Sequence, residues 1–211
     1  MKIQKFTFNP FQENTYVLSN EKNEALIFDP GCYEQYEEQQ LVDYLEKNNL
    51  KLTGIYTTHC HLDHVFGAKF LCEKYKLDFT IPASDTPTYQ MSPNSAKFFG
   101  IQDFEIPPAK ATLKPGKYHF GEVAYEILFT PGHCVGHIAF YFPKEQILIG
   151  GDVLFKGSIG RTDLPGGDFD TLEKSIVEKI YTLPAETIVF SGHGEETTVG
   201  AEMYSNPFVK L

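Results

Sequence analysis

The chain has 211 residues with 18 basic and 28 acidic side chains, which gives a formal net charge of −10 at pH 7. Hydrophobic residues make up 42% of it and aromatic residues 14%, which is enough to bury a sizeable core, so disorder is excluded and one domain over 1–211 is predicted. Because an acidic surface repels polyanions, the charge argues against a general binder of nucleic acid or of anionic membranes.

The sequence shows no secretion or membrane signal. Its first residues lack the apolar core of a signal peptide, and its longest unbroken apolar run, Ile138–Phe142, is far shorter than the ~20 residues that span a bilayer. Its four cysteines have neither the spacing of a Cys-x-x-Cys redox pair nor that of a zinc finger. These features predict a cytoplasmic protein with free thiols.

Short strands and helices alternate through the first half of the chain. β-branched and aromatic residues between Asn, Pro and Gly predict strands over 3–8, 16–19, 25–28 and 54–57. Apolar residues three and four apart predict helices over 34–49 and 64–75. The proline-interrupted stretch 84–100 predicts only short helical pieces.

The second half repeats this succession of strands followed by helices. Strands are predicted over 123–129, 138–142, 146–149 and 187–190. A helix is predicted over 170–180, with Asp170 and Glu173 as its capping box, and a short closing helix over 195–204.

Metal-ligand side chains are concentrated directly after the strand at 54–57. Three of the seven histidines and one aspartate lie within six residues: His59, His61, Asp63 and His64. In an extended segment His59, His61 and Asp63 face one side, while His64 turns inward at the mouth of the helix. Imidazole and carboxylate suit zinc, iron or manganese. The alternative is a polar loop that holds three histidines by chance, and the density of ligand types disfavours it.

Three further ligand types share one context. His133, Asp152 and His193 each lie on a glycine-containing turn just past a predicted strand. Glycine there lets the backbone approach closely and leaves the ligand side chain free to face a metal. The four strand ends are therefore expected to converge at one edge of the fold.

Other catalytic motifs are absent from the sequence. His137 lies four residues after His133, as in a helical zincin pair, but Cys134 stands where that motif needs Glu, and the nearby Pro and Gly argue against a helix. There is no phosphate-binding loop, dinucleotide fingerprint or serine-hydrolase elbow. Cys60 and Cys134 are predicted to be buried and to point away from a metal.

With these residues in place, the sequence resembles the metallo-β-lactamase superfamily, and within it the compact glyoxalase II-like hydrolases. The ligand motifs match in order and spacing, and the likeness runs from the N-terminal strands to 206–208. The closer likeness lies in segments 157–168 and 191–200. The resemblance implies an α/β fold, a four-layer αββα sandwich with the metals at one edge of two packed sheets.

The resemblance also implies two divalent metal ions, with zinc expected first and iron or manganese as the other options. It assigns one ion to His59, His61 and His133, the other to Asp63, His64 and His193, and a bridging role to Asp152. A hydroxide between the metals would be the nucleophile, since two cations lower the pKa of bound water. Asp63 would help to orient it, which makes Asp63 and Asp152 the predicted catalytic residues.

Four more residues receive supporting roles. Asp29 lies in an Asp-Pro-Gly turn and is expected behind the ligands, although such a triplet is also simply a turn sequence. His137 is expected to open the next strand as a supporting or packing residue. Lys156 and Arg161 flank the glycine-containing loop after Asp152, and they either hold a substrate carboxylate or are solvated surface residues.

The predicted function is hydrolysis of a small anionic thioester such as S-D-lactoylglutathione. Larger glyoxalase II enzymes carry a C-terminal helical domain that supplies part of the glutathione contact, and no counterpart follows 206–207. One alternative is a persulfide dioxygenase, whose family shares the segment 160–163 and holds a single iron on the equivalents of His59, His133 and Asp152. Another is a non-catalytic binding module that uses metal only to fold. A β-lactamase is disfavoured, because a cytoplasmic enzyme lies away from the drug's point of entry.

Overall fold

Two six-stranded sheets form the centre of the structure, a computed structural model that describes residues 1–102 and 104–210. The first sheet has the spatial order β1 (Lys2–Phe8), β2 (Glu13–Ser19), β3 (Glu24–Phe28), β4 (Lys51–Tyr56), β5 (Phe79–Pro82) and β6 (Ala109–Leu113). Its first three strands are antiparallel, and β3 to β6 run parallel.

The second sheet also has six strands, which come from the later part of the chain. Its strands are β7 (Gly116–Phe120), β8 (Val123–Phe129), β9 (Ile138–Phe142), β10 (Ile147–Gly151), β13 (Ile188–Ser191) and β14 (Thr197–Thr198), in the spatial order β14-β13-β10-β9-β8-β7. Only β10 and β13 pair in parallel. Between them in sequence lies a small hairpin of β11 (Leu154–Phe155) and β12 (Ser158–Ile159).

Five α-helices cover the outer faces of the sheets. They are α1 (Gln35–Lys47), α2 (Ala68–Tyr75), α3 (Thr86–Phe98), α4 (Phe169–Ser175) and α5 (Val199–Ser205). Single 3-10 turns occupy Leu62–His64 and Ala83–Asp85, and a π-helical turn at Ile176–Ile180 extends α4. No helix in the described ranges is both long and apolar enough to cross a membrane.

Successive side chains on a buried strand enter different apolar cores, and three of these cores pack the layers together. On β2, Val17 joins the core beneath α1 and α2, whereas Tyr16 and Leu18 join the core between the sheets. In that middle core the rings of Phe28 and Phe140 lie 4.7 Å apart, edge to face. The third core packs the second sheet against α4 and α5. The layers are therefore helix, sheet, sheet and helix, and the predicted αββα sandwich is confirmed.

Several helix boundaries differ from the prediction. The stretch 84–100 is not broken into short pieces, because α3 runs continuously over 13 residues. Pro87 lies in its first turn, where no hydrogen bond is lost, and Pro93 is tolerated while Tyr89 and Ala96 stay packed on the inner side. The helix predicted from His64 begins at Ala68, since the Leu62–His64 turn precedes it.

The caps of the last helices were also mispredicted. Asp168, not Asp170, caps α4, and its carboxylate accepts a hydrogen bond from the Thr171 N–H at 2.8 Å. The closing helix begins at Val199 rather than 195, because Thr197–Thr198 pairs with β13. That residues 1–211 form one catalytic domain stays a prediction.

Candidate metal centre

Four strand ends meet at one edge of the two sheets, as predicted. The segment 59–64 follows β4 of the first sheet, while His133, Asp152 and His193 follow β8, β10 and β13 of the second. These three strands of the second sheet run in the same direction, so their carboxyl ends share one edge. All seven predicted ligand side chains converge there; their role as ligands stays a prediction.

Three histidines form the first group. His59, His61 and His133 each offer one ring nitrogen, and these nitrogens lie within 4.8 Å of one another. The His61 Nδ1 and His133 Nε2 atoms are only 2.8 Å apart. His59 and His133 are buried, and His61 is half-buried. Such converging ring nitrogens match the needs of a divalent transition-metal ion.

A mixed group lies beside the first. Asp63, His64 and His193 also place one ligand atom each within 4.8 Å of the others. The shortest contact joins His193 Nε2 to Asp63 Oδ2 at 3.2 Å, and His64 Nε2 lies 3.7 Å from the same oxygen. His64 is fully buried, whereas 28% of the His193 side chain is exposed. The second group therefore forms the more open side of the centre.

Asp152 lies between the two groups. Its Oδ2 atom is 3.5 Å from His133 Nε2 and 3.6 Å from His193 Nε2, and its Oδ1 atom is 3.5 Å from His64 Nε2. The turn after β13 approaches so closely that a Cβ on Gly192 would stand 2.1 Å from the Asp152 Oδ1 atom. Only glycine fits at this position, which explains the Gly-His pair read in the sequence.

The electrostatics of the site favour neutral rings at His59 and His61 and an ionised Asp152, whereas at His64 and His193 the nearby carboxylates outweigh burial and raise the pKa. Burial lowers the pKa of His59, and burial together with the nearby His133 lowers the pKa of His61 to about 3. Burial alone would raise the pKa of Asp152, but the neighbouring histidines, His64 foremost, outweigh it and hold that pKa below its ordinary value. Neutral imidazole and ionised carboxylate are the forms that bind metals.

The buried polar atoms of the site also fit a metal. His59 Nε2, His64 Nε2 and Asp152 Oδ1 have no hydrogen-bond partner among the described residues. An unpartnered buried polar atom costs free energy, so such atoms are rare unless a ligand or ion completes them. Because these three atoms belong to residues that converge at the site, the donor set fits divalent cations.

Asp29 supports the ligand loop from behind, as the sequence indicated. Its Oδ1 atom accepts hydrogen bonds from the Thr58 N–H at 2.6 Å and the Thr57 hydroxyl at 2.9 Å. Its Oδ2 atom accepts from the Thr58 hydroxyl and lies 3.3 Å from His64 Nδ1. A carboxylate in this position fixes the orientation of a ligand imidazole.

His137 positions the Asp152 backbone. Burial lowers its pKa, so the ring is neutral. Its Nε2 atom accepts a hydrogen bond from the Asp152 N–H at 3.0 Å, which assigns the proton to Nδ1, next to the Thr130 hydroxyl at 2.8 Å. His137 thus links β9 to the turn that carries Asp152.

The two basic residues near the centre are engaged in ion pairs. Lys156 Nζ lies 2.5 Å from Glu195, and the Arg161 guanidinium forms a two-pronged pair with Asp163 at 2.7 and 2.8 Å. The Arg161 carbonyl oxygen lies 2.8 Å from His133 Nδ1 and can accept a hydrogen bond from this ring nitrogen. Arg161 therefore orients His133 through its backbone, whereas contact of either side chain with a substrate stays a prediction.

The sequence reasoning missed two buried carboxylates. Asp85 accepts hydrogen bonds from the Cys60 N–H at 2.6 Å and the Thr88 hydroxyl at 2.7 Å, and burial raises its pKa. Glu13 lies fully buried with its Oε1 atom 3.9 Å from His64 Nδ1. The Pro82–Asp85 turn and the β2 strand gave no sequence signal for these contacts. Cys60 and Cys134 are buried, as predicted, and no cysteine belongs to the candidate metal groups found among the described residues.

The αββα sandwich with a histidine and aspartate centre at its edge defines a class of metal-binding proteins. The sequence profile of the metallo-beta-lactamase superfamily matches residues 8–193, and the chain belongs to this superfamily of metal-dependent hydrolases. The superfamily predicted from the sequence is therefore confirmed, whereas the closer likeness to glyoxalase II stays a prediction.

Relatives of the chain span nearly its full length. It is 36% identical to the probable metallo-hydrolase YqgX of Bacillus subtilis (99% of this chain, 98% of that one). It is 34% identical to the hydroxyacylglutathione hydrolase GloC of Haemophilus influenzae, with the same coverage.

Two solved structures are similar in both fold and sequence. The BLEG-1 B3 metallo-beta-lactamase has a TM-score of 0.89 and 36% identity, over 99% of each chain. TTHA1623 in a di-iron-bound form has a TM-score of 0.86 and 35% identity, over 98% of this chain and all of that one.

Proposed function

We propose that the chain is a hydrolase of glutathione thioesters such as S-D-lactoylglutathione, with two divalent metal ions, zinc expected first. The observation that carries the proposal is the position of Asp152, whose Oδ2 atom lies 3.5 and 3.6 Å from one histidine of each group. A shared carboxylate between two complete groups is typical of a dinuclear site. The relative named hydroxyacylglutathione hydrolase supports the substrate class.

Each group of side chains would hold one metal ion. One ion would be held by His59, His61 and His133, the other by Asp63, His64 and His193, and Asp152 would contact both. When bound, divalent ions at such a site lower the pKa of bound water and polarise a substrate carbonyl.

The accessible carboxylate of the centre belongs to Asp63. Its side chain is 17% exposed, compared with 9% for Asp152, and its Oδ2 atom faces the half-exposed His193. Asp63 is therefore placed to orient the attacking water by accepting a hydrogen bond from it. We expect Lys156 and Arg161 to meet the substrate's carboxylates, in exchange for their present partners Glu195 and Asp163. The four unpaired cysteines agree with a cytoplasmic location.

The decisive experiment combines metal analysis with an activity assay. Protein purified without added metal is analysed by elemental mass spectrometry, and thiol release from S-D-lactoylglutathione is followed with a disulfide reagent. Two equivalents of metal with thiol release support the proposal. Fully metallated protein without thioesterase activity contradicts it. One equivalent of iron with oxygen uptake on glutathione persulfide identifies the dioxygenase instead.

β-Lactam hydrolysis is the second candidate activity. The observation that favours it is the 36% identity to the BLEG-1 B3 metallo-beta-lactamase over 99% of both chains. The same metallated preparation is therefore assayed with a chromogenic cephalosporin. A kcat/KM for the cephalosporin above that for the thioester would replace the proposed function.

A further inference from the structure

Aromatic side chains form an exposed surface beside the metal centre. This surface, here called the aromatic wall, consists of Phe11, Phe66, Phe98 and Phe99. The rings of Phe11 and Phe99 meet edge to face at 5.2 Å, and those of Phe98 and Phe99 at 5.4 Å. Phe66 stacks behind Phe11 at 6.3 Å. Phe98 and Phe99 are 85% and 54% exposed, so the outer half of the wall faces solvent.

The wall is continuous with the open side of the centre. The Phe11 carbonyl oxygen lies 3.1 Å from His193 Nδ1, so the backbone that carries the Phe11 ring contacts this partly exposed histidine. From the other direction, α3 packs against the 3-10 turn Leu62–His64, and Leu62 and Phe66 share one apolar cluster. The turn that carries Asp63 and the helix that ends at Phe98 are thereby held together.

The basic side chains on this side of the centre are already paired with carboxylates, so apolar contact is the stronger attraction for a substrate here. Lys156 is paired with Glu195, and Lys5, whose ammonium group donates to the Gly194 carbonyl oxygen, is paired with Glu196 at 2.7 Å. Within each pair the two charges cancel, so the surface next to His193 carries little net charge from these residues. Scattered surface phenylalanines are ordinary, but contiguous exposed rings that adjoin a polar catalytic cleft mark a binding surface.

We infer that the aromatic wall is the subsite for the acyl arm of the substrate, and that the chain prefers thioesters with an alkyl or aryl acyl group over the small polar lactoyl group. The inference rests on the proposed thioester hydrolysis. It assigns the acyl arm rather than the thiol arm because the peptide arm of glutathione carries carboxylates, which water and basic groups solvate and phenyl rings do not.

The test compares glutathione thioesters that differ only in the acyl group. Metal-loaded protein is assayed on S-D-lactoylglutathione and S-hexanoylglutathione, as wild type and as Phe99→Ala. Binding of the non-hydrolysable thioethers S-hexylglutathione and S-methylglutathione is measured by calorimetry on the same samples. Tyr204→Ala, which removes another exposed aromatic ring, is the matched control (Tyr204 is 94% exposed).

We expect a higher kcat/KM for the hexanoyl ester in the wild type. Phe99→Ala should lower it by ~10-fold, with a change below ~2-fold for the lactoyl ester. The affinity for S-hexylglutathione should fall in parallel, and that for S-methylglutathione should not change. Tyr204→Ala should match the wild type throughout.

The possible failures are distinguishable. Hydrolysis of both esters without acyl preference, or equal losses for both in Phe99→Ala, overturns the subsite and leaves the proposed function in place. Absence of hydrolysis with a Phe99-dependent preference for the hexyl thioether supports the subsite and contradicts thioester hydrolysis.

Discussion

A single carboxylate, Asp29, couples the ligand loop to the first sheet. It accepts hydrogen bonds from Thr57 and Thr58 and lies 3.3 Å from His64 Nδ1, so it fixes both the strand end and one ligand ring. Both carboxylate oxygens of Asp29 accept hydrogen bonds, but an amide has only one oxygen. Asp29→Asn therefore turns an N–H₂ group toward the donors of Thr57 or Thr58. We expect a ~10–100-fold loss of metal affinity, measured by competition with a chromogenic chelator.

The control for this prediction is Asp43→Asn. Asp43 lies exposed on α1 and accepts a hydrogen bond only from Gln39 among the described residues. Its substitution makes the same chemical change far from the centre and should leave the metal affinity at the wild-type value. If Asp29→Asn also kept the wild-type affinity, the supporting role of Asp29 would be wrong.

At the level of elements, the strands rich in apolar residues were mostly predictable, whereas β5 and the more polar strands were missed. β2, β3 and β9 were found from their β-branched and aromatic residues, since each of these strands contributes apolar side chains to two cores. β6 and β7 were missed because polar and exposed residues dominate them. Their strand conformation comes from pairing with neighbours, which is a tertiary effect that local sequence does not encode.

The centre was predictable for a different reason. The seven candidate ligands are dense, chemically distinctive and placed at strand ends, so the pattern alone singled out the residues that converge in the structure. Asp85 and Glu13 escaped because a single carboxylate carries no local pattern; only the packing of Asp85 under Cys60 makes it a supporting residue.

At the start of α4, the cap in the structure is Asp168, whereas the sequence predicted Asp170. Asp168 caps the helix through Thr171, and its own N–H donates to the Gly132 carbonyl oxygen next to His133. We expect Asp168→Ala to lower the free energy of unfolding by about 1 kcal/mol. Asp170→Ala, which removes no cap, should cost less than about 0.5 kcal/mol. Urea denaturation of both variants decides between them, and equal losses would contradict the assignment of the cap.

For the whole molecule, the centre is a junction between the two sheets. One sheet supplies the ligands at 59–64, and the other supplies His133, Asp152 and His193. Metal bound there would connect the sheets in the folded state only, and a ligand at 1,000 times its Kd stabilises that state by about 4 kcal/mol. We therefore expect chelation to lower the Tm by ~10 °C.

Calorimetry with and without a chelator measures this difference. Addition of excess zinc after removal of the chelator should restore the original Tm. A Tm independent of metal would show that the sheets hold together without it and would contradict a structural contribution from the centre.

The order of the ligands along the chain also has a consequence for synthesis. The first four candidate ligands emerge from the ribosome together, but His193, which follows β13, is made much later. An unfinished chain can present the His59 segment without its partners from the second sheet. Because domains fold as they are made, the nascent chain must hold a ligand-rich loop exposed until the last strands arrive. The full set of seven candidate ligands is therefore present only after β13 has been made.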